Sequence, residues 1–442
     1  MDITLRPARI CGTIDIPGSK SHTIRALLIA LFANGVSTLH NALDSQDTQA
    51  CIELCRRLGA RITFKTDIPV PTLVIDSSNI AKGQKSEVCI DCANSGTTLY
   101  IASAMCAAGC KAKSIRFTGD EQLSKRPIEP LLDSLRDLGA TIEQKDATTT
   151  PFIIYGPLNG GRTSIECRTS QYLSALLLSC PMAKGDTTIQ VPLLNEKPYV
   201  RMSQYWLEKQ KIDYTCNDEL SLFHINGNQH YKPFTECIGG DYSSATFFFC
   251  AAAMTGGTIT VNGLDRSDPQ GDKAVLSVLE QMGCTVEWSG SGVTLNGPQR
   301  LKAGMFDLND IPDALPALAV ASCFADGETK LYNVKQARLK ETDRIATMAH
   351  CINELGGSAV ELDDGLDIHP VESFTAKEID GCNDHRIAMA MALASLRCAG
   401  SLTIRGAQAA AVTFPTFFEL LAKVSVSNEE DPKTSLNSKT SV

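Results

Sequence analysis

The sequence lacks the compositional marks of several large protein classes. Aromatic residues make up only 6% of its 442 residues, so stacking on nucleic-acid bases is not favoured. Positive charge is also in deficit: 41 Lys and Arg stand against 50 Asp and Glu, and the net charge of -9 argues against a general binder of nucleic acids or membrane surfaces. Apolar runs such as residues 387–396 fall short of the roughly 18 residues that a membrane helix needs.

Motifs for metals, nucleotides and export are missing as well. There is neither a Gly-x-x-x-x-Gly-Lys-Ser/Thr loop nor a His-Glu-x-x-His pair, and the seven histidines never fall at paired ligand spacing. Cys89 and Cys92 form a single Cys-x-x-Cys without a second pair, so we interpret the 17 cysteines as packing residues. Residues 1–10 show no apolar core of a signal peptide. We therefore expect a cytoplasmic protein, and no motif predicts a metal or nucleotide site.

A sixfold internal repeat is the main structural signal. In each copy an apolar helix is followed by a glycine and then by a strand of alternating apolar residues, and successive glycines are 74, 76, 72, 70 and 73 residues apart. We interpret each glycine as the left-handed residue that ends its helix, because glycine takes that conformation without strain. The glycines are Gly35, Gly109, Gly185, Gly257, Gly327 and Gly400.

A second, amphipathic helix follows in most copies and ends in a hydrophobic residue and glycine, as at Leu58 and Gly59 or at Leu138 and Gly139. Each copy is therefore predicted to run strand, helix, strand, helix, strand, strand. The first helix, for example residues 388–396, is apolar nearly all round, which predicts burial on every side. Three copies can enclose a core of such helices, so we predict an α/β fold of two similar three-repeat domains.

Polar residues cluster directly before each of the six buried helices. Helix capping explains about half of them, since Ser, Thr, Asp and Asn are preferred caps. It does not explain Lys20, Arg25 or Arg386, because a cation at a helix N-terminus opposes the helix dipole, whereas a bound phosphate or carboxylate would remove that conflict. The clusters lie at residues 20–25, 94–98, 169–171, 241–244, 311–313 and 383–386.

Cations also open two of the second helices. Arg126 precedes Pro127, which suits the first position of a helix, and Lys340 and Arg344 are one turn apart on one face. If these helices converge, six cations would focus a positive field in an acidic protein, which predicts a small polyanionic substrate. The six are Lys20, Arg25, Arg126, Lys340, Arg344 and Arg386.

At these residues the chain resembles the 5-enolpyruvylshikimate-3-phosphate (EPSP) synthase family, the 3-phosphoshikimate 1-carboxyvinyltransferases. The matching segments follow the family's order and spacing from residue 17 to residue 415, which is nearly the whole chain. They are residues 17–21 with Arg25, 94–98, 126–128, 170–171, 311–313, 340–344 and 384–389.

The resemblance implies a two-domain inside-out α/β barrel, the enolpyruvyl transferase fold, built from six βαβαββ repeats. It places one domain at residues 20–239, mainly on the shikimate 3-phosphate side, and the other at residues 1–19 joined to 240–425. Residues 426–442 are polar and without pattern, which predicts a disordered tail.

The implied reaction moves the enolpyruvyl group of phosphoenolpyruvate onto the 5-hydroxyl of shikimate 3-phosphate and releases phosphate, by addition and then elimination. It is a step of the shikimate pathway toward chorismate and the aromatic amino acids, and it uses no cofactor. The resemblance implies that Asp313 is the base, that Glu341 exchanges a proton with the methylene carbon, and that Lys20 is a third catalytic residue.

The resemblance also assigns both substrates to residues of this sequence. Shikimate 3-phosphate is assigned to Lys20, Ser21, Arg25, Thr169, Ser170, Gln171, Asp313, Gln336 and Lys340. Phosphoenolpyruvate is assigned to Lys20, Asn94, Gly96, Arg126, Gln171, Arg344 and Arg386.

Five positions depart from the family pattern. Val412 stands where the family usually has a lysine on the phosphate of phosphoenolpyruvate, and Glu196 replaces the usual serine on the phosphate of the acceptor. Tyr100 stands where an arginine is common, while Gln336 and Thr169 keep hydrogen-bonding ability in place of Asn and Ser. Val412 and Glu196 motivate an alternative, a catalytically weak or specialised paralogue that binds a phosphorylated hydroxy acid.

Two other functions fit less well. The enolpyruvyl transferase that acts on UDP-N-acetylglucosamine has Asn at the position of Ser21 and a loop cysteine that residues 118–126 lack. A purely structural repeat protein would not need Asp313, Glu341 and six cations at equivalent helix starts. We expect small-molecule substrates, no nucleic-acid or membrane partner, and a monomer.

Overall fold

Apolar helices occupy the positions that the repeat predicts in the computed structural model, which describes residues 1–80, 87–144, 149–290 and 292–427. All residues of the helices Leu315–Ser322 and His385–Ser395 are buried. The α-helices of the described residues are α1 (Lys20–Leu31), α2 (Gln46–Arg57), α3 (Gly96–Gly109), α4 (Glu129–Asp137), α5 (Ser170–Ser179), α6 (Lys197–Lys209), α7 (Tyr242–Thr255), α8 (Val275–Gln281), α9 (Leu315–Ser322), α10 (Arg344–Glu354), α11 (His385–Ser395) and α12 (Phe417–Val424).

Side-chain caps begin five of the six core helices, which are α1, α3, α5, α7, α9 and α11. Ser19, Ser95, Thr169, Asp241 and Asp384 each accept a hydrogen bond from a backbone N–H of the first turn. The fifth core helix, α9, instead follows the 3₁₀ turn Pro312–Ala314. Within the described residues, no helix combines the length and the hydropathy that crossing a membrane requires.

Twenty-four strands accompany these helices in the described residues. They are β1 (Ile3–Leu5), β2 (Arg9–Asp15), β3 (Val36–His40), β4 (Arg61–Lys65), β5 (Thr72–Asp76), β6 (Glu87–Asp91), β7 (Ser114–Thr118), β8 (Thr141–Gln144), β9 (Phe152–Tyr155), β10 (Gly161–Cys167), β11 (Thr187–Leu194), β12 (Tyr214–Cys216), β13 (Leu222–Ile225), β14 (Thr235–Cys237), β15 (Thr258–Asn262), β16 (Thr285–Ser289), β17 (Gly292–Asn296), β18 (Met305–Asp307), β19 (Thr329–Tyr332), β20 (Ser358–Leu362), β21 (Gly365–His369), β22 (Glu378–Asp380), β23 (Leu402–Arg405) and β24 (Ser425–Val426).

The chain divides into two units, each with its own hydrophobic core. Unit 1 contains Met1–Ile16, Gly240–Arg266 and the residues from Asp272 onward, and its sheets have the orders β16-β17-β15-β2-β24, β18-β19-β21-β20 and β1-β23-β22. Unit 2 contains Pro17–Gly239 and Ser267–Gly271, and its sheets have the orders β14-β3-β5-β4, β6-β7-β9-β8 and β10-β11-β13-β12.

Each sheet has one parallel pair of strands, and a core helix connects that pair in four of the six repeats, for example β6, α3 and β7. The first and fourth repeats exchange their opening strands. In the first, β3 follows α1 and pairs in parallel with β14, which comes from residues 235–237. In the fourth, β15 follows α7 and pairs in parallel with β2, which comes from residues 9–15. This exchange explains why the chain crosses from unit to unit near residues 17 and 240.

A short segment, Ser267–Gly271, belongs to unit 2 although the chain on both sides of it belongs to unit 1. Its Asp268 lies 3.2 Å from Nε2 of His22 in α1, and the indole N–H of Trp206 donates to Nδ1 of His22 at 2.9 Å. Because Nδ1 accepts from Trp206, the ring proton is on Nε2 and is donated to Asp268. These contacts hold the segment against α1.

The boundaries of the predicted domains stay a prediction. Residues 17–19 and 267–271 fall in unit 2, whereas sequence analysis put them in the other domain. Val426, at which the predicted tail begins, pairs with Arg9 in the ladder of β24 and β2. The rest of that tail, residues 428–442, lies outside the described residues.

The interpretation of the six periodic glycines as left-handed helix ends is wrong. At α7 the left-handed residue is Gly256, with φ of +61°, and the periodic Gly257 comes after it. A Cβ on Gly257 would lie 1.9 Å from the carbonyl oxygen of Ile10, so this glycine allows β2 to approach closely. The left-handed conformation instead occurs where the second helix ends, as at Gly59 with φ of +102°.

Candidate active site

Arg344, the first residue of α10, holds a group of carboxylates together in unit 1. Its Nε donates to Asp384 Oδ2 at 2.9 Å, and its Nη2 donates to Asp384 Oδ1 at 3.2 Å. Nη1 donates to Asp313 Oδ1 at 3.0 Å, and Nη2 also donates to Glu341. One guanidinium therefore joins the two carboxylates that sequence analysis predicted as proton-transfer groups, Asp313 and Glu341.

Arg344 and Asp384 form a buried ion pair, since the two residues are only 1% and 0% exposed. Burial opposes the charge of Arg344, but Asp384, Glu341 and Asp313 raise its pKa above the usual value. Burial alone would raise the pKa of Asp384, yet the charge of Arg344 outweighs it, so the pKa of Asp384 is lowered. Both side chains are therefore charged at neutral pH.

Asp313 receives two further cations. Nη2 of Arg386 donates to Asp313 Oδ2 at 2.8 Å, and Nζ of Lys340 lies 4.0 Å from Asp313 Oδ1. Arg386 also donates to the hydroxyl of Ser243, at the start of α7, at 2.6 Å. The three cations predicted in this part of the chain, Lys340, Arg344 and Arg386, thus meet at one carboxylate that is 19% exposed.

His385 lies beside this group at the start of α11, and both of its ring nitrogens are buried without a hydrogen-bond partner. Burial lowers the pKa of His385 to about 3, so the ring is neutral. Ligand atoms of Glu341, Asp384 and His385 lie within 4.8 Å of one another, which is close enough for a metal ion. Arg344 already donates to both carboxylates, however, and a second cation among them would be repelled.

Arg25 is buried in unit 2, at 1% exposure in the second turn of α1. Its donors reach only neutral oxygens: the hydroxyls of Ser203 and Ser174 at 3.0 and 3.2 Å, and the carbonyls of Ser21 and Tyr199 at 3.1 and 3.3 Å. Burial lowers the pKa of Arg25 to about 10, which leaves it charged at neutral pH. Among the described residues no carboxylate hydrogen-bonds to it or forms an ion pair with it.

Lys20 and Ser21 open α1 directly after the cap Ser19. Nζ of Lys20 pairs with Asp47 Oδ2 at 3.0 Å, and Asp47 lies in the first turn of α2. Lys20 keeps 15% of its side chain exposed, so it is accessible to a ligand.

Gly96, at the first position of α3, lies against Arg126 and Gln171. A Cβ on Gly96 would be 2.7 Å from Nη1 of Arg126 and 3.7 Å from Oε1 of Gln171. Nη2 of Arg126 donates to Asn94 Oδ1 at 2.7 Å, and Nδ2 of Asn94 donates to Asp120 at 2.7 Å. Oε1 of Gln171 is buried without a hydrogen-bond partner. Four residues predicted for one ligand are therefore neighbours, and one of their acceptors is unused.

Tyr100 has a structural role that accounts for its departure from the family pattern. It packs edge-on against Tyr172 with ring centroids 5.4 Å apart, and both hydroxyls donate to the carbonyl of Pro127, at 3.1 and 2.5 Å. Tyr100 therefore fixes the backbone directly after Arg126 and supplies no charge.

Thr169 and Ser170, at the start of α5, both donate to Glu196, the residue that replaces the family's usual serine. Glu196 Oε2 accepts from the Ser170 backbone N–H at 3.0 Å, from the Ser170 hydroxyl at 2.7 Å and from the Thr169 hydroxyl at 3.2 Å. Glu196 is only 1% exposed. Its carboxylate therefore lies at the helix N-terminus and not in solvent.

The remaining predicted positions lie in 3₁₀ turns of unit 1. Gln336, in the turn Lys335–Leu339, is buried and its Nε2 donates to the carbonyl of Asn309 at 3.0 Å. Val412 ends the turn Ala407–Val412 and is half-buried. It brings no charge to this position.

Three residues of these groups were not predicted as members of the site. Asp384 and Ser243 stand in the polar clusters before helices, about half of which capping explains, and Asp384 does accept from the N–H of Arg386 at 2.8 Å. His385 stands between Asp384 and Arg386 in the last of these clusters. The sequence signal for Asp384 is its position two residues before Arg386, because a carboxylate near a cation at a buried helix start can balance charge as well as cap the helix.

Proteins of one family match this chain over almost its whole length. The pattern of EPSP synthase (3-phosphoshikimate 1-carboxyvinyltransferase) covers residues 5–421. The chain belongs to the EPSP synthase family. The 3-phosphoshikimate 1-carboxyvinyltransferase of Acetivibrio thermocellus is 43% identical over 426 residues, which cover 96% of this chain and 98% of that protein. The enzyme of the same name from Chlamydia caviae is 33% identical over 429 residues, covering 96% and 94%.

A solved structure agrees with the family assignment. The EPSP synthase of Acinetobacter baumannii matches with a TM-score of 0.79 and 27% identity, over 96% of this chain and 98% of that one. The predicted family, the two-domain α/β fold of that family and the class of carboxyvinyltransferase are thereby confirmed. Nothing in these similarities favours the alternative of a catalytically weak paralogue.

Proposed function

We propose that this chain transfers the enolpyruvyl group of phosphoenolpyruvate to the 5-hydroxyl of shikimate 3-phosphate and releases phosphate, as a step toward the aromatic amino acids. The observation that carries the proposal is the Arg344 guanidinium that joins Asp313 to Glu341. The reaction needs a base and an acid close together, beside cations that stabilise anionic groups, and this arrangement supplies all three.

The chemistry takes two steps. In the addition, Asp313 accepts the proton of the 5-hydroxyl, whose oxygen attacks C2 of phosphoenolpyruvate, while Glu341 gives a proton to the methylene carbon. In the elimination, Glu341 takes a proton from the resulting methyl carbon, the carbon–oxygen bond to phosphate breaks, and the enol double bond forms again. The proton on Asp313 leaves with the phosphate. Lys20 is the cation shared by both substrates, and no electrons are gained or lost overall.

Shikimate 3-phosphate, the acceptor of the enolpyruvyl group, is assigned to a set of residues that includes the buried cation Arg25. Arg25 supports the assignment because its charge reaches only neutral oxygens among the described residues, and an anionic ligand would balance it. The donors at the start of α5 support it as well, since a helix N-terminus favours phosphate. The set is Lys20, Ser21, Arg25, Thr169, Ser170, Gln171, Asp313, Gln336 and Lys340.

Phosphoenolpyruvate is assigned to a set of residues that includes arginines, whose forked N–H groups suit carboxylates and phosphates. Arg344 and Arg386 support the assignment because each holds an oxygen of Asp313, which the carboxylate or phosphate of the donor can replace. Val412 stands where the family usually has a lysine, so the set is one cation short. It comprises Lys20, Asn94, Gly96, Arg126, Gln171, Arg344 and Arg386.

The proposal includes a monomer in the cytoplasm, with small molecules as its only partners. The net charge of -9 supports the absence of a nucleic-acid or membrane partner, because either surface would repel an acidic protein.

Gly96→Ala tests the assignment of phosphoenolpyruvate to the residues around Arg126. The new Cβ would lie 2.7 Å from Nη1 of Arg126, so the guanidinium must move away. We expect the KM for phosphoenolpyruvate to rise by about tenfold, the effect of losing one charged hydrogen bond, with the KM for shikimate 3-phosphate nearly unchanged. Steady-state kinetics with each substrate varied in turn measures both constants.

The control for Gly96→Ala is Gly327→Ala. A Cβ on Gly327 meets only Ala303 Cβ, at 3.4 Å, so this variant should keep both KM values. An unchanged KM for phosphoenolpyruvate in Gly96→Ala would contradict the placement of the donor beside Arg126.

Phosphate release tests the function as a whole. The purified chain is given phosphoenolpyruvate and shikimate 3-phosphate together, each alone, and phosphoenolpyruvate with unphosphorylated shikimate. We expect rapid release only with both cognate substrates, and the enolpyruvyl product should appear in equal amount by mass spectrometry. Release that is independent of the acceptor would show hydrolysis of phosphoenolpyruvate, and no release in any mixture would overturn the proposal.

A further inference from the structure

Glu196 places a carboxylate oxygen in the position that an anionic ligand of α5 would take. Three donors converge on Oε2 alone: the backbone N–H of Ser170 at 3.0 Å, its hydroxyl at 2.7 Å and the hydroxyl of Thr169 at 3.2 Å. A backbone N–H at a helix start together with two hydroxyls is the donor set that holds a phosphate oxygen in proteins. The chain therefore carries its own anion at this helix N-terminus.

The backbone at Glu196 departs from ordinary conformations to put the carboxylate there. Its φ of +57° and ψ of +43° lie in the left-handed region, which a residue with a Cβ rarely adopts. Glu196 directly precedes α6, and its side chain makes no hydrogen bond that caps that helix. The side chain thus serves α5 rather than its own helix, and such local strain marks positions with a functional role.

Burial excludes simultaneous occupation by a second anion. Glu196 is 1% exposed, Thr169 9% and Ser170 1%, so water does not screen the carboxylate from a group at the same donors. One N–H cannot serve two anionic oxygens at full strength, and two negative charges in a buried place repel each other. A phosphate can occupy these donors only after the Glu196 carboxylate has moved away.

We propose that Glu196 is a specificity-determining residue, an internal competitor for the phosphate of the acceptor at the start of α5. The inference rests on the proposed function, which assigns Thr169 and Ser170 to shikimate 3-phosphate. Because displacement of the carboxylate opposes binding, this chain holds the phosphorylated acceptor less tightly than it would with a neutral residue at 196. It also discriminates less between shikimate 3-phosphate and shikimate, since only the phosphate meets the competitor.

Calorimetric titration of the full chain tests the competitor. Shikimate 3-phosphate, shikimate and inorganic phosphate are each titrated into the wild type, Glu196→Ser and Glu196→Gln. We expect Glu196→Ser to bind shikimate 3-phosphate about tenfold more tightly than the wild type, with unchanged affinity for shikimate. Glu196→Gln keeps an oxygen that can accept from Ser170, so it should stay folded and show a smaller gain from the loss of charge alone.

The control is Glu166→Gln, which removes an exposed carboxylate from the neighbouring strand β10 and should bind all three ligands as the wild type does. Equal or weaker binding of shikimate 3-phosphate by both Glu196 variants would overturn the inference. Inorganic phosphate separates this outcome from a failure of the proposed function. Phosphate that binds Glu196→Ser more tightly than the wild type supports the competitor even if no mixture of substrates is turned over.

Discussion

Asp313→Asn is expected to lower kcat by about 10²- to 10⁴-fold, the usual contribution of a general base, without raising the KM for phosphoenolpyruvate. Asparagine keeps the size of the side chain but cannot accept the proton of the 5-hydroxyl at neutral pH. The KM is not expected to rise, because loss of the Asp313 charge weakens its hold on Arg344 and Arg386, the two cations assigned to phosphoenolpyruvate. A low kcat with an equal or lower KM therefore distinguishes a base from a residue that only binds the donor.

The matched control is Asp363→Asn, which removes an exposed carboxylate of the same unit that pairs with Lys335 at 2.8 Å. Because an exposed pair contributes little, this variant should have wild-type kinetics. Thermal unfolding of both variants checks that a low rate does not reflect an unfolded chain. A kcat within a fewfold of the wild type in folded Asp313→Asn would exclude Asp313 as the base.

Internal carboxylates accept hydrogen bonds from donors that the proposed function assigns to substrates. Lys20 pairs with Asp47, Arg344 and Arg386 hold Asp313, and Ser170 donates to Glu196. A buried cation without a counter-charge is costly, so these internal pairs offset the cost of burying Arg344, Arg386 and most of Lys20. Arg25 differs from them, since its described partners are all neutral, and we expect it to gain most from an anionic ligand.

The repeat made the positions of the buried helices predictable, because a helix that is apolar nearly all round is stable only in a hydrophobic core. All eight residues of α9 and all eleven of α11 are buried, as the pattern of their sequences indicates. The meeting of Lys340, Arg344 and Arg386 was also predictable, since cations at buried helix starts need an anion nearby. The anion in this structure is Asp313, a residue of the chain itself.

Other features depend on contacts between residues far apart in the sequence, which a local pattern does not record. Nothing near residue 235 indicates that β14 pairs with β3, because a three-residue strand has no periodicity of its own. The direction of Glu196 was equally hidden, since it depends on a left-handed backbone at a residue other than glycine. The interpretation of the periodic glycines was wrong for a similar reason. Gly257 is required by its close contact with the carbonyl of Ile10, which is over two hundred residues away in the sequence.

Asp384→Asn is expected to lower the free energy of unfolding by about 3–5 kcal/mol, because it leaves the buried charge of Arg344 without its main counter-charge. The Asp384 carboxylate takes two of the guanidinium donors, at 2.9 and 3.2 Å, and is fully buried. Asparagine still accepts from the N–H of Arg386 as the cap of α11, so this variant isolates the loss of charge. Asp384→Ala removes the cap as well and should cost about 1 kcal/mol more. Urea denaturation followed by circular dichroism measures both.

The pH dependence of the difference between wild type and Asp384→Asn identifies its cause. The pKa of Asp384 in the folded chain lies below its ordinary value of 3.8, so its ionised form is the one that stabilises the fold. The stabilisation is therefore complete above pH 3.8 and is lost as the pH falls through the lower folded value. A difference that shrinks already between pH 7 and about pH 5 would contradict an ion pair with Arg344 as the cause. Glu354→Gln, at an exposed pair with Lys377, should change stability little at any of these pH values.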